Sequence, residues 1–342
     1  MKKFFELLFL KCVYSSGNSK IINQFLTELE NIEGIDACAD LVQRIDPYIA
    51  PSRIASAKEK ALKSYNSILD DSSIQVTTIF DDDYPKRLND LRYRRPVILF
   101  ARGNVDLLRS DTLSVVGTRH PSLYSETVEK RIVKNVIEHS GRTIVSGLAL
   151  GCDRIAHETA LHFKANTIAV LPSGLNVITP ARHKTLAKAI LDSNGCIISE
   201  YEPNSKARNN TYVERDSIIA ALGDGTFVME CAVKSGTMHT IDAAVDMQRK
   251  IACFMKKDAL ADEYSGNRFM MEEYEAEAIY DTKELKKYLD TLPKVIDKKT
   301  DEYSVNRFML EEYKAEAIYD TKELKKYLDT LPKNIDKKTE EK

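Results

Sequence analysis

The sequence predicts an α/β fold built around a mostly parallel sheet with helices on both faces. Between Ser114 and Phe254, short β-branched runs repeatedly lead into a Gly- or Ser-containing turn and then into a helical run. This alternation is typical of parallel sheets. The turns then gather at the carboxyl edge of the sheet, where glycine lets backbone N–H groups approach a ligand and helix N-termini favour anions. We therefore expect a ligand that bears phosphate.

Residues 1–72 are predicted to form a small helical module. Apolar residues between Leu7 and Leu29 recur at helical spacing. The first segment faintly resembles an export signal, because Met1-Lys2-Lys3 precedes an apolar run. However, Glu6 interrupts that run, Lys11 ends it, and no small-residue cleavage site follows. We therefore expect a buried helix here.

Residues 73–300 are predicted to form the α/β core. The stretch from Ile74 to Ile79 alternates like a strand, and Pro96 to Phe100 leads from it into the main layer, which spans about 110–258. The strands of this layer are predicted at Leu113–Val116, Thr143–Val145, Thr167–Leu171 and Thr226–Glu230. Each of them runs into one of the turns at the carboxyl edge.

A near-identical duplication occupies the C-terminal part of the chain. Asp262–Thr300 recurs as Asp301–Thr339, and four of the 39 positions differ. A stacked solenoid usually needs at least three units, so two copies do not form a repeat architecture. We expect the first copy to complete the sheet and residues 301–342 to be an appendage. The first copy has Gly266 where the second has Val305. We expect Gly266 to adopt a positive φ in the turn before the closing strand.

Composition argues against several classes of protein. No segment approaches the roughly 20 consecutive apolar residues that cross a bilayer, so no membrane partner is expected. The six cysteines lie far apart without a CxxC pair, which disfavours a zinc ribbon or a disulfide framework and favours reduced thiols in a cytoplasmic protein. With a formal net charge of −2, any basic binding surface must be local.

Metal and nucleophile motifs are poorly supported as well. His157 and His162 are five residues apart, so they cannot share a ligand face of a helix as the histidines of HExxH do. No GxSxG elbow surrounds Ser146 or Ser173. We therefore predict no metal site and no catalytic residue.

Three turns carry candidate ligand-binding residues. Arg119 follows the turn glycine Gly117, and its guanidinium could contact phosphate with two donors or simply lie on the surface of an ordinary loop. The segment from Ser146 to Asp153 is dense in small residues, which implies tight packing or backbone contacts with a ligand. Ser235-Gly236-Thr237 could cradle a phosphate or merely cap a helix, and both can hold at once.

In combination, these motifs resemble the DNA-processing protein A family (DprA, also called Smf). The order and spacing match over about 75–290. The motifs are Tyr84-Pro85-x-x-Leu88, Val115 to Arg119, Ser122-x-Tyr124, Ser146-Gly147-x-Ala149-x-Gly151-x-Asp153-x-x-Ala156-His157, Ala169-Val170-Leu171-x-x-Gly174-Leu175, Ser199-Glu200-Tyr201 and Ser235-Gly236-Thr237-x-x-Thr240. The resemblance implies an extended Rossmann-like domain that binds single-stranded DNA without catalysis or a cofactor, forms a homodimer and helps to load the RecA recombinase in transformation.

The predicted DNA-binding residues come from these motifs. Arg119 and a cation from Arg182 or Lys184 are expected to contact phosphates, while Tyr124 or His120 could stack on bases. The complete predicted set is Gly117, Thr118, Arg119, Ser122, Tyr124, Ser146, Gly147, Gly174, Arg182, Lys184, Arg215, Ser235, Gly236 and Thr237.

The chain departs from the family pattern beside this set. Where the family usually reads Arg-Asn-Arg-Ile-Ile, it has Arg215-Asp216-Ser217-Ile218-Ile219, and His183 replaces an expected Asn. Losing a cation and gaining an acid weakens the attraction for a phosphodiester backbone. An alternative function therefore stays open, namely binding or N-glycosidic cleavage of a nucleotide-derived small molecule by Asp216 and Glu230. Alternatively, Asp216 could have a purely local role, either as a helix cap or in a pair with Arg215.

Overall fold

The computed structural model describes residues 1–14, 19–256 and 262–294. Within these ranges, nine strands form one sheet. They are β1 (Gln75–Thr78), β2 (Ile98–Gly103), β3 (Thr112–Val116), β4 (Thr143–Ser146), β5 (Thr167–Val170), β6 (Cys196–Ser199), β7 (Gly225–Val228), β8 (Lys250–Phe254) and β9 (Glu277–Ile279). Their spatial order is β1-β2-β6-β5-β4-β3-β7-β8-β9.

Helices cover the sheet and precede it in the chain. The described α-helices are α1 (Phe4–Tyr14), α2 (Ser19–Asn23), α3 (Leu26–Leu29), α4 (Ile35–Ile45), α5 (Pro51–Leu69), α6 (Leu123–Ser140), α7 (Cys152–His162), α8 (Lys184–Asp192), α9 (Asn209–Leu222), α10 (Thr237–Asp246), α11 (Ser265–Glu273) and α12 (Thr282–Asp290). None of these described helices is both long and apolar enough to span a membrane.

The strand order reverses at the centre of the sheet, next to β3. The chain moves outward from β3 through β4 and β5 to β6, and then returns to β7 on the other side of β3. These pairings and those of β8 and β9 are parallel, whereas β1 and β2 add antiparallel pairings at one edge. The predicted fold class, an extended Rossmann-like and mostly parallel sheet, is confirmed. Ligands of such sheets bind where loops diverge at this reversal of strand order.

The N-terminal helices pack on the part of the sheet formed by β2, β5 and β6. Side chains of α1 such as Phe9 share one hydrophobic cluster with Phe100 and Ile197 of the sheet. Lys11 is buried at this contact, and its ammonium donates a 2.6 Å hydrogen bond to the carbonyl oxygen of Glu200. That bond satisfies a charge that would otherwise be costly to bury.

The first copy of the duplicated segment supplies the closing strand, because β9 pairs in parallel with β8. Gly266, however, lies in the first turn of α11 and has no positive φ, so that expectation is wrong. The glycine is needed for close packing instead. A Cβ at this position would lie 2.7 Å from the carbonyl oxygen of Cys231 and 2.9 Å from its Sγ. The second copy, within residues 301–342, lies outside the described residues.

Candidate functional site

A groove with a volume of about 430 Å³ opens at the carboxyl edge of the parallel strands. It is formed by the loops that follow β3, β4 and β5 and by the first turns of α6 and α7. Its lining residues are Arg119, His120, Pro121, Glu126, Leu150, Gly151, Arg154, Arg182 and His183. Three arginines and one glutamate therefore face the same space. This excess of positive charge favours an anionic ligand.

Arg119 is exposed at the mouth of the groove, as expected for a residue that follows a turn at the end of β3. Its guanidinium lies over the ring of Tyr212 on α9, with the central carbon 5.4 Å from the ring centroid. The loop is held by Thr118, whose backbone N–H donates to the carbonyl oxygen of Glu230 at 2.7 Å. Arg119 forms no ion pair with any described residue, so its donors are available to a phosphate.

The other cations divide between the groove and its surroundings. Arg182 is exposed in the groove and has no ion-pair partner within the part of the chain that the structure describes. Arg154 instead pairs with Glu158 at 2.8 Å and lies 4.0 Å from Glu126. Lys184 is exposed at the start of α8 but does not line the groove. Of the two cations proposed beside Arg119, Arg182 is thus the one within the groove.

Four predicted contact residues are buried, and the structure corrects their role. Arg215 is 3% exposed, and its guanidinium donates to the carbonyl oxygens of Gly147 and Val170. The Ser146 hydroxyl donates to the Val115 carbonyl oxygen at 2.7 Å. The N–H of Gly147 donates to Asp153, and that of Gly174 donates to Ser205. In the structure, these polar groups therefore hydrogen-bond within the protein and hold the loops together.

The hydroxyl of Ser122 caps α6. It accepts the backbone N–H of Ser125 at 3.2 Å and donates to Glu230 Oε2 at 3.0 Å. Ser125 also donates to this oxygen, at 2.5 Å. Glu230 is buried and accepts hydrogen bonds from both hydroxyls, so its carboxylate stabilises the start of α6. This arrangement leaves Glu230 poorly placed to assist cleavage of a glycosidic bond.

The loop at Ser235-Gly236-Thr237 adjoins the turn after β3. The Thr237 hydroxyl donates to the carbonyl oxygen of Gly117 at 3.1 Å, and the Ser235 hydroxyl contacts Cys231 Sγ at 3.1 Å. Gly236 has an ordinary helical φ of −61° and open space where a Cβ would stand. The two hydroxyls thus have internal partners, and the conformation of this loop does not require glycine.

Tyr124 lies outside the groove on the first turn of α6. Its side chain is 51% exposed, and the Lys256 ammonium lies 5.3 Å from its ring centroid. An exposed aromatic ring beside a cation suits base stacking, although it is not among the groove residues. His120, the other predicted stacking residue, does line the groove.

Asp216 lies mostly buried on α9, with its side chain 15% exposed, and it pairs with Arg215 at 2.9 Å, as one of the two sequence interpretations proposed. Burial raises the pKa of the Asp216 carboxyl to about 6 and Asp153 adds to this, whereas Arg215, His239 and Arg119 act to lower it. The carboxyl therefore carries its charge mainly above pH 6. Because Arg119 acts on the pKa of this carboxyl, we expect the charge of Asp216 to oppose an anion that binds beside Arg119.

Three residues of this site were missed by the sequence interpretation: Arg154, His183 and Tyr212. Arg154 follows Asp153 on the first turn of α7, where a side chain reaches the groove. Tyr212 precedes Arg215 by three residues, so both lie on one face of α9. His183 was noticed only as a departure from the family pattern. That His183 is buried and lines the groove is visible only in the tertiary structure.

The family model for DNA recombination-mediator protein A matches residues 75–290. Protein Smf of Escherichia coli K12 is 37% identical over 156 residues, which cover 46% of this chain and 41% of that protein. DNA processing protein DprA of Bacillus subtilis is 30% identical over 216 residues, covering 63% of this chain and 71% of the relative. The chain thus spans less than half the length of the E. coli relative that it matches.

Solved structures show the same relationship. The X-ray structure of DprA from Streptococcus pneumoniae superposes with a TM-score of 0.72 and 26% identity, covering 84% of this chain and 98% of that chain. DNA processing protein A from Helicobacter pylori, whose structure addresses its single-stranded DNA binding mode, gives a TM-score of 0.56 at 27% identity over 64% of this chain and 98% of that one. With more than half of its residues matched by the family model and its sheet shared with these structures, the chain belongs to the DNA recombination-mediator protein A family.

Proposed function

We propose that this chain binds single-stranded DNA without catalysis and that its groove holds the phosphates of the strand. The observation that carries this proposal is the placement of Arg119 and Arg182, two exposed guanidinium groups in one groove without a carboxylate partner among the described residues. Guanidinium groups free of ion pairs can neutralise a phosphodiester backbone. The Helicobacter pylori relative, which binds single-stranded DNA, supports the same ligand here.

The alternative ligand, a nucleotide-derived small molecule, has weaker support. Cleavage of a glycosidic bond needs a carboxylate or another group that can act as acid or base on the substrate. Glu230 holds the hydroxyls of Ser122 and Ser125, and Asp216 pairs with Arg215. Both carboxylates thus already have protein partners, and the groove itself presents mainly cations.

We further propose that the protein acts in the cytoplasm as a homodimer that helps to load a RecA-type recombinase during recombination and transformation. Membership of the family supports this role. The six cysteines are free thiols, which fits a reducing compartment. Light scattering on the purified protein tests for the dimer, and affinity capture with purified RecA tests for the partner.

Titration with a fluorescent oligo(dT) at several salt concentrations tests the DNA-binding proposal. A strand held by its phosphates should lose affinity with a log–log slope of about −0.7 for each phosphate contacted. A mononucleotide such as dTMP should compete weakly. Salt-independent binding of the mononucleotide, with no affinity for the oligonucleotide, would instead identify a small-molecule site.

A further inference from the structure

His183 occupies an unusual position for a titratable group. It is 5% exposed, yet it lines the arginine-rich groove. Its Nδ1 lies 2.8 Å from the carbonyl oxygen of Leu148. Because a carbonyl oxygen can only accept a hydrogen bond, Nδ1 must carry a proton. Nε2 is therefore the nitrogen available to a ligand, and it forms no hydrogen bond with any residue that the structure describes.

The charge state of His183 decides what its Nε2 can bind. In the neutral ring, Nε2 presents a lone pair, which repels a phosphate oxygen. In the imidazolium, the same atom presents an N–H donor with a positive charge. The choice between these states depends on what enters the groove.

The surroundings of His183 favour the donor form when an anion is bound. Charged and titratable neighbours come from every side of the groove: Arg119 and His120 from the loop after β3, Glu126 from α6, Arg154 from α7 and Arg182 from the preceding turn. Behind it, burial lowers the pKa of His157 to about 3, so His157 stays neutral and adds no charge. With three arginines present, the groove attracts phosphate, and a bound phosphate favours protonation of the nearest imidazole.

We propose that His183 binds a DNA phosphate through Nε2–H as an imidazolium, so that binding of the strand takes up a proton at this residue. This inference rests on the proposed DNA-binding function and adds one donor to it. Because the strand binds the protonated ring more tightly than the neutral ring, affinity for the strand increases as the pH falls.

Calorimetric titration of a short oligo(dT) into the protein tests the inference. Measurements in two buffers with different ionisation enthalpies, at about pH 6.5 and about pH 8.5, report how many protons are taken up. The variants are His183→Asn, whose amide can still donate to Leu148, and His183→Gln. His162→Asn is the matched control, because His162 is an exposed histidine at the end of α7 that does not line the groove. Thermal melts verify that each variant is folded.

We expect His183→Asn and His183→Gln to take up fewer protons than the wild type and to lose about tenfold in affinity at the lower pH, as expected for one charged hydrogen bond. At the higher pH their affinity should stay within about twofold of the wild type. His162→Asn should retain the proton uptake and the affinity of the wild type. Asp216 titrates in all these proteins, so the difference between them reports on His183.

Two outcomes overturn the inference while leaving DNA binding intact. One is proton uptake in the two His183 variants equal to that of the wild type. The other is an equal loss of affinity at both pH values, which would make Nε2 an acceptor from a base. By contrast, a wild-type protein that fails to bind oligo(dT) at either pH overturns the proposed function and this inference together.

Discussion

At the scale of single residues, Arg119 and Arg215 contact the same tyrosine ring but have different roles. Both guanidinium groups lie over the Tyr212 ring, at 5.4 Å and 5.9 Å from its centroid. Arg119 comes from a loop and stays exposed, whereas Arg215 comes from a central helix and donates to the carbonyl oxygens of Gly147 and Val170. Only Arg119 keeps its donors for a ligand.

Replacing Arg119 by alanine should weaken the binding of oligo(dT) about tenfold at low salt, because one charged contact is lost. The salt slope should become shallower by about 0.7. The thermal melting temperature should hardly change, since Arg119 is exposed and unpaired among the described residues. Fluorescence anisotropy and a thermal melt measure these quantities.

Lys188→Ala provides the matched control for this substitution. Lys188 is exposed on α8 and pairs with Asp192 at 2.5 Å, away from the groove lining. Its removal deletes one positive charge without touching the proposed site. Equal effects of the two substitutions would mean that Arg119 contributes only to the general charge of the protein.

Asp216→Asn should strengthen the binding of oligo(dT) at pH 8 and leave it unchanged at about pH 5. The pKa of this carboxyl is about 6, so the charge that opposes phosphate is present above that value and lost below it. Affinities of the wild type and the variant, measured across this range, should therefore converge on acidification. A constant ratio between them at all pH values would contradict this role of Asp216.

Some of the predicted contact residues are exposed and others are buried, and the position of each residue in its element explains the difference. Arg119 could be predicted because it directly follows a turn at the end of a strand, and such a position is exposed in a parallel sheet. Arg215 could not be assigned from its motif, because the rotation of α9 against the sheet decides whether the guanidinium faces solvent. Ser146 is similar, since the last residue of a central strand can point into either layer of helices.

At the scale of elements, the turn that ends in Gly151 shapes the groove. Gly151 has a φ of 71°, and a Cβ there would overlap the carbonyl oxygens of Thr118 and Arg119. The close approach of these two loops is what brings α7 beside the loop that carries Arg119. Glycine is thus required at this point by both the backbone conformation and the space.

Gly151→Ala should lower stability by more than about 2 kcal/mol and weaken DNA binding, because the positive φ and the overlap force the two loops apart. Gly236→Ala is the control, since Gly236 has a φ of −61° and open space around it. It should change stability by less than about 1 kcal/mol. Chemical denaturation compares the two variants, and equal effects would argue against this account of Gly151.

Strands β3, β4, β5 and β7 were predictable because their β-branched runs end at recognisable turns, and their predicted boundaries fall within two residues of those observed. The role of Gly266 was not predictable in the same way. Glycine serves both positive φ and close packing, and the sequence does not distinguish these uses. Only the contact of α11 with Cys231 shows which of them applies.

At the scale of the whole molecule, Arg142 connects the first copy of the duplication to the central strands. This buried side chain pairs with Asp224 at 2.6 Å and donates to the carbonyl oxygens of Leu292 at 3.2 Å and Pro293 at 2.8 Å. Asp224 also accepts the backbone N–H of Thr112. The N-terminal ends of β3 and β7 and the segment after α12 are therefore held by one polar network.

Arg142→Ala should destabilise the protein by about 3–5 kcal/mol, because it leaves the buried Asp224 carboxylate without this partner. Arg109→Ala, which removes an exposed arginine paired with Asp106, should cost less than about 1 kcal/mol. Urea denaturation measures both free energies of unfolding. A small effect of Arg142→Ala would mean that Arg87, which lies 3.3 Å from Asp224, compensates for the loss.

Truncation after Thr300 should leave a folded protein that still binds its ligand, because the first copy already supplies β9 and α12. Circular dichroism, thermal melting and the oligo(dT) titration compare the truncated and full-length proteins. Insoluble truncated protein would show that residues 301–342 are structurally essential and that the proposed division at residue 300 is misplaced.

The close contact at Gly266 has a consequence for how the chain folds. Two segments that differ at four of 39 positions could compete for the same edge of the sheet while the protein folds. A valine at the place of Gly266 would have to displace the backbone at Cys231, so the second copy cannot occupy this edge equally well. The single difference at this position therefore favours the first copy over the second at this edge of the sheet. A valine introduced at position 266 would remove this advantage of the first copy and favour misfolded chains that loop out the first copy.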